Sequence, residues 1–189
     1  MVGSNDGALS RALLEPEQAD LGRDARRFFA GLSLAAVFGL ALGMRFGALS
    51  MAAHAVGVPV AIVAVALLGT PAFFVGILHG GVDLDARTLV STMARGAATA
   101  GLCLAGLAPA MVLFALSAES SVSVAVLAAI ALTVAGFLGQ RATFRALPVE
   151  QLLPVRGRLF LLRWAFAIFA GALAWRVWWL VLPIFGGQS

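Results

Sequence analysis

Long apolar segments, each followed by charged or polar residues, recur along this chain. A helix needs about 20 consecutive apolar residues to cross the ~30 Å hydrocarbon core of a bilayer. Segments near this length are Phe28–Met44, Gly57–Leu78, Gly96–Ser117, Val122–Gly139 and Leu159–Phe185, and only the last contains charges, at Arg163 and Arg176. The pattern predicts an all-α fold, a polytopic bundle of five transmembrane helices.

The remaining segments are short. Residues 1–27 mix acidic and basic side chains with little helical periodicity, so we expect a cytoplasmic amino-terminal tail with one short helix. Residues 28–185 form the predicted bundle, and residues 186–189 form a short outer tail. Although the second segment is apolar from residue 48, Gly57 and Pro59 predict that an interfacial lead-in precedes the spanning helix.

Two connections between the segments contain helix signals of their own. Residues 80–87 hold two glycines and then two aspartates, which predicts a helix stop and an N-cap for a helix that starts near Leu84 and bends near Gly96. Before the fifth segment, Pro148 and Pro154 enclose five residues that we expect to form a short interfacial helix.

The charges orient the predicted bundle. All 13 cationic side chains are arginine, and the formal net charge is +4. With five spans, most of these arginines share the side of the amino terminus, and only Arg45 and Arg176 fall toward the other side. Because cytoplasmic loops are enriched in basic residues, this distribution predicts a cytoplasmic amino terminus and integration in the bacterial inner membrane.

Composition removes several classes of protein. With 61% hydrophobic and 12% charged residues, the chain is too apolar for a soluble globular domain or a disordered protein, and a single cysteine excludes a disulfide scaffold. The absence of lysine excludes a retinal Schiff base and lysine-dependent covalent catalysis. No basic stripe is interleaved with aromatic residues, so we expect no nucleic-acid partner.

Aromatic residues mark both ends of the fifth segment. Trp164 lies near its start, and Trp175, Trp178 and Trp179 lie near its end. Because tryptophan favours the boundary between membrane and water, we interpret these side chains and Arg176 as interfacial anchors. The alternative for Arg176 is a buried arginine that pairs with an anionic ligand.

Residues able to support catalysis are sparse. His54 and His79 would lie about 37 Å apart in one helix, too far to share a haem or a metal, so we interpret them as interfacial polar residues. Asp83 and Asp85 are interpreted as helix-capping residues, and no serine-nucleophile elbow occurs. We therefore predict no enzyme activity and no cofactor or metal, with a metal site formed by these aspartates and a histidine as the alternative.

Small residues recur every fourth position in the first segment. Gly31, Ala35, Gly39, Gly43 and Gly47 would line one face of a helix with nothing larger than a methyl group. Such a face allows close approach of another helix, where van der Waals packing replaces the missing hydrophobic drive. The sequence leaves open whether this helix-packing face meets helices of the same chain, a second copy or a partner membrane protein.

The third segment contains Pro109, which predicts a helix kink that frees the carbonyl of Ala105. Kinks of this kind act as hinges in some transporters. No intramembrane aspartate, glutamate or lysine accompanies this one, which argues against ion- or proton-coupled transport.

The string from Ala105 to Pro109, followed by a short outer turn and a fourth segment that ends in glycine, resembles the small bacterial members of the Yip1 family. The resemblance covers roughly residues 50–185 at the level of topology, and the glycine face of the first segment departs from it. It implies five spans and a cytoplasmic amino-terminal tail. Eukaryotic members are linked to vesicle trafficking and to small GTPase partners, but the resemblance assigns no role to particular residues.

The sequence therefore favours a non-enzymatic inner-membrane protein that acts as a scaffold or as a subunit of a membrane complex through helix packing. Its expected partners are the lipid bilayer and either a second copy or another membrane protein. The alternative is the membrane subunit of a small-solute transporter. A solute binder should enclose a cavity of about 300 Å³ or more with converging polar groups, whereas the interior of a scaffold should be filled.

Overall fold

The computed structural model describes residues 21–79, 85–147, 156–182 and 184. These residues form five long helices and no strand: α1 (Leu21–Gly43), α2 (Ala48–His79), α3 (Ala86–Ser117), α4 (Ser121–Arg145) and α5 (Arg156–Val181), with a 3₁₀ turn at Met44–Phe46 after α1. Each long helix contains a segment long and apolar enough to cross a membrane. The prediction of an all-α fold with five candidate spans is confirmed.

Helix α2 differs from its predicted boundary. It begins at Ala48 and continues through Pro59 and Pro71 to His79, so the prediction of a separate lead-in before Gly57 is wrong. Proline removes one backbone hydrogen bond without ending a helix in a bundle, because neighbouring helices and local adjustments satisfy the freed carbonyl. With 32 residues, α2 is about 48 Å long and exceeds the hydrocarbon thickness.

Two other helices also differ from their predicted starts. Helix α1 already includes residues 21–27, which belong to the predicted tail. Helix α3 starts at Ala86 rather than near Leu84, and Asp85 occupies its N-cap position without a capping hydrogen bond from the side chain. The rest of the tail, Asp83, the proline-bounded segment 148–154 and the outer tail 186–189 lie outside the described residues.

The helices are arranged as an incomplete ring. Helix α1 packs most extensively against α3 and next against α2, while α4 packs on the other side of α3 and α5 on the other side of α2. The order around the bundle is therefore α4, α3, α1, α2, α5. Helices α4 and α5, which would close the ring, make few contacts with each other.

Two apolar clusters hold the ring together. The larger includes the fully buried Phe38 and Leu42 of α1 and Leu104 of α3. In the smaller cluster, the Phe73 ring of α2 lies 5.1 Å from the Phe144 ring of α4 and 4.8 Å from the Phe166 ring of α5, measured between centroids. Through the Phe73 ring, this aromatic cluster connects α4 and α5, which otherwise make few contacts with each other.

Candidate functional site

The small-residue face of α1 packs partly against α2. A Cβ atom added at Gly39 would overlap the carbonyl oxygen of His54, and one added at Gly43 would lie 2.5 Å from the Cα atom of Met51. Both neighbouring atoms belong to the backbone, which cannot rotate away as a side chain can. The two glycines therefore allow the backbones of α1 and α2 to touch.

The same face also meets α3. A Cβ atom at Gly31 would lie 2.6 Å from the Cα atom of Ala98, and one at Gly101 would overlap the carbonyl oxygen of Gly31. Ala35 is fully buried in the larger apolar cluster. Gly47 lies beyond the 3₁₀ turn, where its φ of 90° suits glycine, and a Cβ atom added there would meet no atom within 4 Å. Gly47 is thus a turn residue rather than part of the face, and the other four positions are covered within the chain.

Arg45 forms a contact that the sequence did not reveal. It lies in the 3₁₀ turn after α1, yet its Nη1 group donates to the carbonyls of Ala115 and Ala118, and its Nη2 group donates to the carbonyl of Glu119 at 2.9 Å. The last carbonyls of a helix lack partners within the helix and carry partial negative charge. Arg45 therefore caps the carboxyl end of α3 from another helix.

The two histidines have different environments. His54 is fully buried in α2, whereas His79 is exposed at the end of the same helix. Their location at the boundary between membrane and water stays a prediction. The Nδ1 atom of His54 lies 2.8 Å from the carbonyl oxygen of Ser50 and can donate to it, and its Nε2 atom has no hydrogen-bond partner among the described residues. Within these same ranges, no three histidine, cysteine or acidic side chains come close enough to hold a metal.

An apolar cavity of about 380 Å³ lies inside the ring between α2, α3, α4 and α5. Its lining consists mainly of alanine, glycine and aliphatic side chains, for example Ala61, Ala100, Leu132, Ala135, Ala170 and Ala174. The small side chains do not fill the space between the helices. Helix α1 lies between α2 and α3, and the larger side chains of Phe166 and Trp178 also line the cavity, so the helices do not close onto the alanines. Helices α4 and α5 touch little, so this side of the cavity has the least protein covering it.

The polar groups of the cavity are few and already engaged. Thr133 and Thr143 donate their hydroxyl protons to carbonyls one turn earlier in α4, at 2.7 Å and 3.2 Å. Gln140 donates its amide to the carbonyl of Arg163, at 3.3 Å. No side chain that carries a full charge belongs to the cavity lining in the described part of the chain. The chemistry of this site therefore fits an apolar ligand better than a polar solute.

The tryptophans of α5 lie at the cavity, on the outer surface, or at both. Trp175 and Trp178 both line the cavity. Trp164, Trp179 and Arg176 are exposed on the surface of the helix, and Trp175 is also half exposed, with its ring beside that of Trp179. The two cavity-lining tryptophans could not be separated from the others by sequence, because all four fit the same end-of-helix pattern. Their role as interfacial anchors stays a prediction.

Pro109 lies on the exposed surface of α3, and the helix continues past it to Ser117. Neither Pro109 nor Ala105, whose carbonyl a kink would free, lines the cavity, so a kink would not supply a hydrogen-bond acceptor to this site. The predicted kink itself stays a prediction.

Comparison with known proteins supplies no relative from which a function can be transferred. The chain matches no protein-family model, and no curated protein or solved structure matches it. Function therefore has to be inferred from the cavity and from the charges on the bundle.

Proposed function

We propose that this protein binds an apolar, membrane-dissolved molecule in the cavity between α2, α3, α4 and α5. Five apolar helices make it compatible with a multi-pass membrane protein. The observation that carries the proposal is the cavity, whose volume of about 380 Å³ falls in the range of ligand pockets, about 300–1,000 Å³. A polar solute placed there would lose its hydrogen bonds to water without replacement, at a cost of about 1–3 kcal/mol for each group.

The proposal keeps the protein non-enzymatic and assigns it to the bacterial inner membrane. The cavity lining offers no titratable side chain among the described residues, so a reaction or ion coupling at this site lacks a proton donor or acceptor. The arginine-rich end of the bundle, where α1 and α3 begin and α4 ends, would face the cytosol. In a transporter complex, this subunit would hold a hydrophobic solute rather than a polar one. The resemblance to the Yip1 family stays a prediction.

The second candidate function is a scaffold for a membrane complex, and α5 is the observation that favours it. None of the residues in its apolar span, Arg163–Val181, is buried within the chain. The exposed fraction reaches 70% for Ile168 and 61% for Leu180. Because the small-residue face of α1 is covered by α2 and α3, a partner helix or a second copy would pack on α5 instead.

A bulky residue in the cavity should weaken ligand binding. In Ala170→Phe the new ring would enter the cavity. The probe is an uncharged diazirine alkane, added to vesicles that contain the protein. Photolabelling of the cavity residues in α3 and α4 should fall about tenfold, which corresponds to about 1.4 kcal/mol of binding free energy. Labelled peptides are measured by mass spectrometry. The matched control is Ala172→Phe on the exposed face of the same helix, because residues two apart do not share a face.

The same pair of variants separates the two candidate functions. Equal labelling in both variants and in the wild-type protein would rule out the cavity as a ligand site. A scaffold predicts the reverse pattern: Ala172→Phe would reduce the size of the purified complex in mild detergent, whereas Ala170→Phe would leave that size unchanged.

A further inference from the structure

A second concavity, separate from the apolar cavity, lies at the arginine-rich end of the bundle. This basic groove has a volume of about 910 Å³ and lies between α1, α3 and α4. Four arginines line it: Arg27 from α1, Arg95 from α3, and Arg141 and Arg145 from α4. Because three helices contribute, the cluster exists only in the folded bundle.

The groove changes from basic to apolar along its depth. Leu102 lies seven residues after Arg95 in α3, which places it on the same face and about 10 Å farther toward the middle of the helix. In α4, Leu138 lies three residues before Arg141, again on the same face and in the same direction. The described lining therefore places guanidinium groups at the outer end of the groove and leucine side chains on the membrane side.

Among the residues that the structure describes, Asp24 provides a carboxylate beside a groove arginine. Asp24 lies three residues before Arg27 in α1, and its Oδ1 atom lies 3.6 Å from the Nη1 atom of Arg27. No carboxylate belongs to the described lining. The other acidic residues that the structure describes are Asp85, at the exposed start of α3, and Glu119, at the opposite end of the bundle. Within the described ranges, the arginines of the groove therefore outnumber the carboxylates beside them.

We propose that the basic groove binds an anionic phospholipid, with its phosphate among the four arginines and an acyl chain against Leu102 and Leu138. Guanidinium groups match phosphate oxygens through paired hydrogen bonds, and a cluster from several helices can surround one headgroup. An anionic leaflet attracts arginines in general, but only a lipid makes use of both the charged and the apolar part of this groove. The site is distinct from the apolar cavity, so it does not depend on the proposed function.

Removing two groove arginines should weaken binding of the lipid selectively. In Arg141→Gln/Arg145→Gln, the affinity of the detergent-solubilised protein for a fluorescent phosphatidylglycerol should fall about 30-fold. Both side chains are exposed, so the variant should keep its melting midpoint when no lipid is added. The matched control is Arg26→Gln/Arg87→Gln, which removes the same charge from exposed positions at the same end of the bundle but outside the groove.

Three results would overturn the proposal. The first is an equal loss of affinity in the control pair, which would show that total surface charge alone attracts the lipid. The second is equal binding of phosphatidylcholine by the wild-type protein. The third is complete competition by inorganic phosphate at the same concentration as phosphatidylglycerol, which would reduce the site to a free-phosphate site.

An independent variant tests the apolar half of the groove while all four arginines remain. The indole of Leu138→Trp should occupy the space that the acyl chain would fill next to Arg141. The affinity for phosphatidylglycerol should then fall about tenfold, because part of the apolar contact between lipid and protein is lost. Binding of glycerol phosphate, which has no acyl chain, should stay unchanged. A variant that loses affinity for both ligands equally, or for neither, contradicts placement of an acyl chain in this groove.

Discussion

Replacing Gly39 by leucine should lower the melting midpoint of the purified protein in detergent by about 6–12 °C, from an overpacking cost of about 3 kcal/mol. Even the first carbon of a new side chain would overlap the carbonyl oxygen of His54. A backbone atom cannot move out of the way alone, so α1 and α2 must separate along their contact and lose dispersion contacts there. The midpoint is measured by differential scanning fluorimetry.

The matched control is Gly106→Leu, at an exposed site in α3 where no atom lies within 4 Å of the added Cβ. This variant should raise the wild-type midpoint by about 2–4 °C or leave it unchanged, because leucine favours helix more than glycine does, by about 1 kcal/mol, and meets no neighbouring atom. Equal effects of the two substitutions would contradict the contact between α1 and α2. A loss of oligomer size without loss of stability in Gly39→Leu would assign the α1 face to another chain.

Replacing Arg45 by methionine should lower the free energy of unfolding by about 3 kcal/mol, because hydrogen bonds to a charged group contribute about 1.5–3 kcal/mol each. Arg45 donates to carbonyls at the end of α3, including those of Ala118 and Glu119. Methionine keeps the apolar stem but removes every donor. The connection from α3 to α4 should loosen, and cleavage after Glu119 by a glutamate-specific protease should become faster.

Two variants show whether the effect of Arg45 comes from its geometry. Arg176→Met removes an exposed arginine on the same predicted side of the bundle and should change the unfolding free energy by no more than about 0.5 kcal/mol. Arg45→Lys keeps the charge but not the planar fork, so it should recover about half of the lost stability. If Arg45→Met behaves like Arg176→Met, the cap does not stabilise α3.

Much of the helical architecture follows from local properties of the chain. Five apolar segments of sufficient length, with prolines and glycines between or within them, predict five membrane-spanning helices because the backbone must satisfy its own hydrogen bonds in lipid. The boundary errors also have a local origin. Gly57 and Pro59 were interpreted by rules for helices in water, yet α2 passes through both.

The candidate sites depend on which helices become neighbours, and periodicity does not specify that. It identified a small-residue face on α1, but not that Gly39 would meet α2 while Gly31 would meet α3. The sequence also placed Arg95 and Arg141 on the same side of the membrane without indicating that they line one groove.

What the sequence determined by itself is therefore the presence of five apolar helices and the sorting of arginines toward one end, because both depend on residues near each other in the chain. Only the tertiary structure decided the cap that Arg45 places on α3, the cavity within the ring and the groove among four arginines. These features join residues from separate helices, and their positions follow from how closely glycine and alanine let each pair of helices approach.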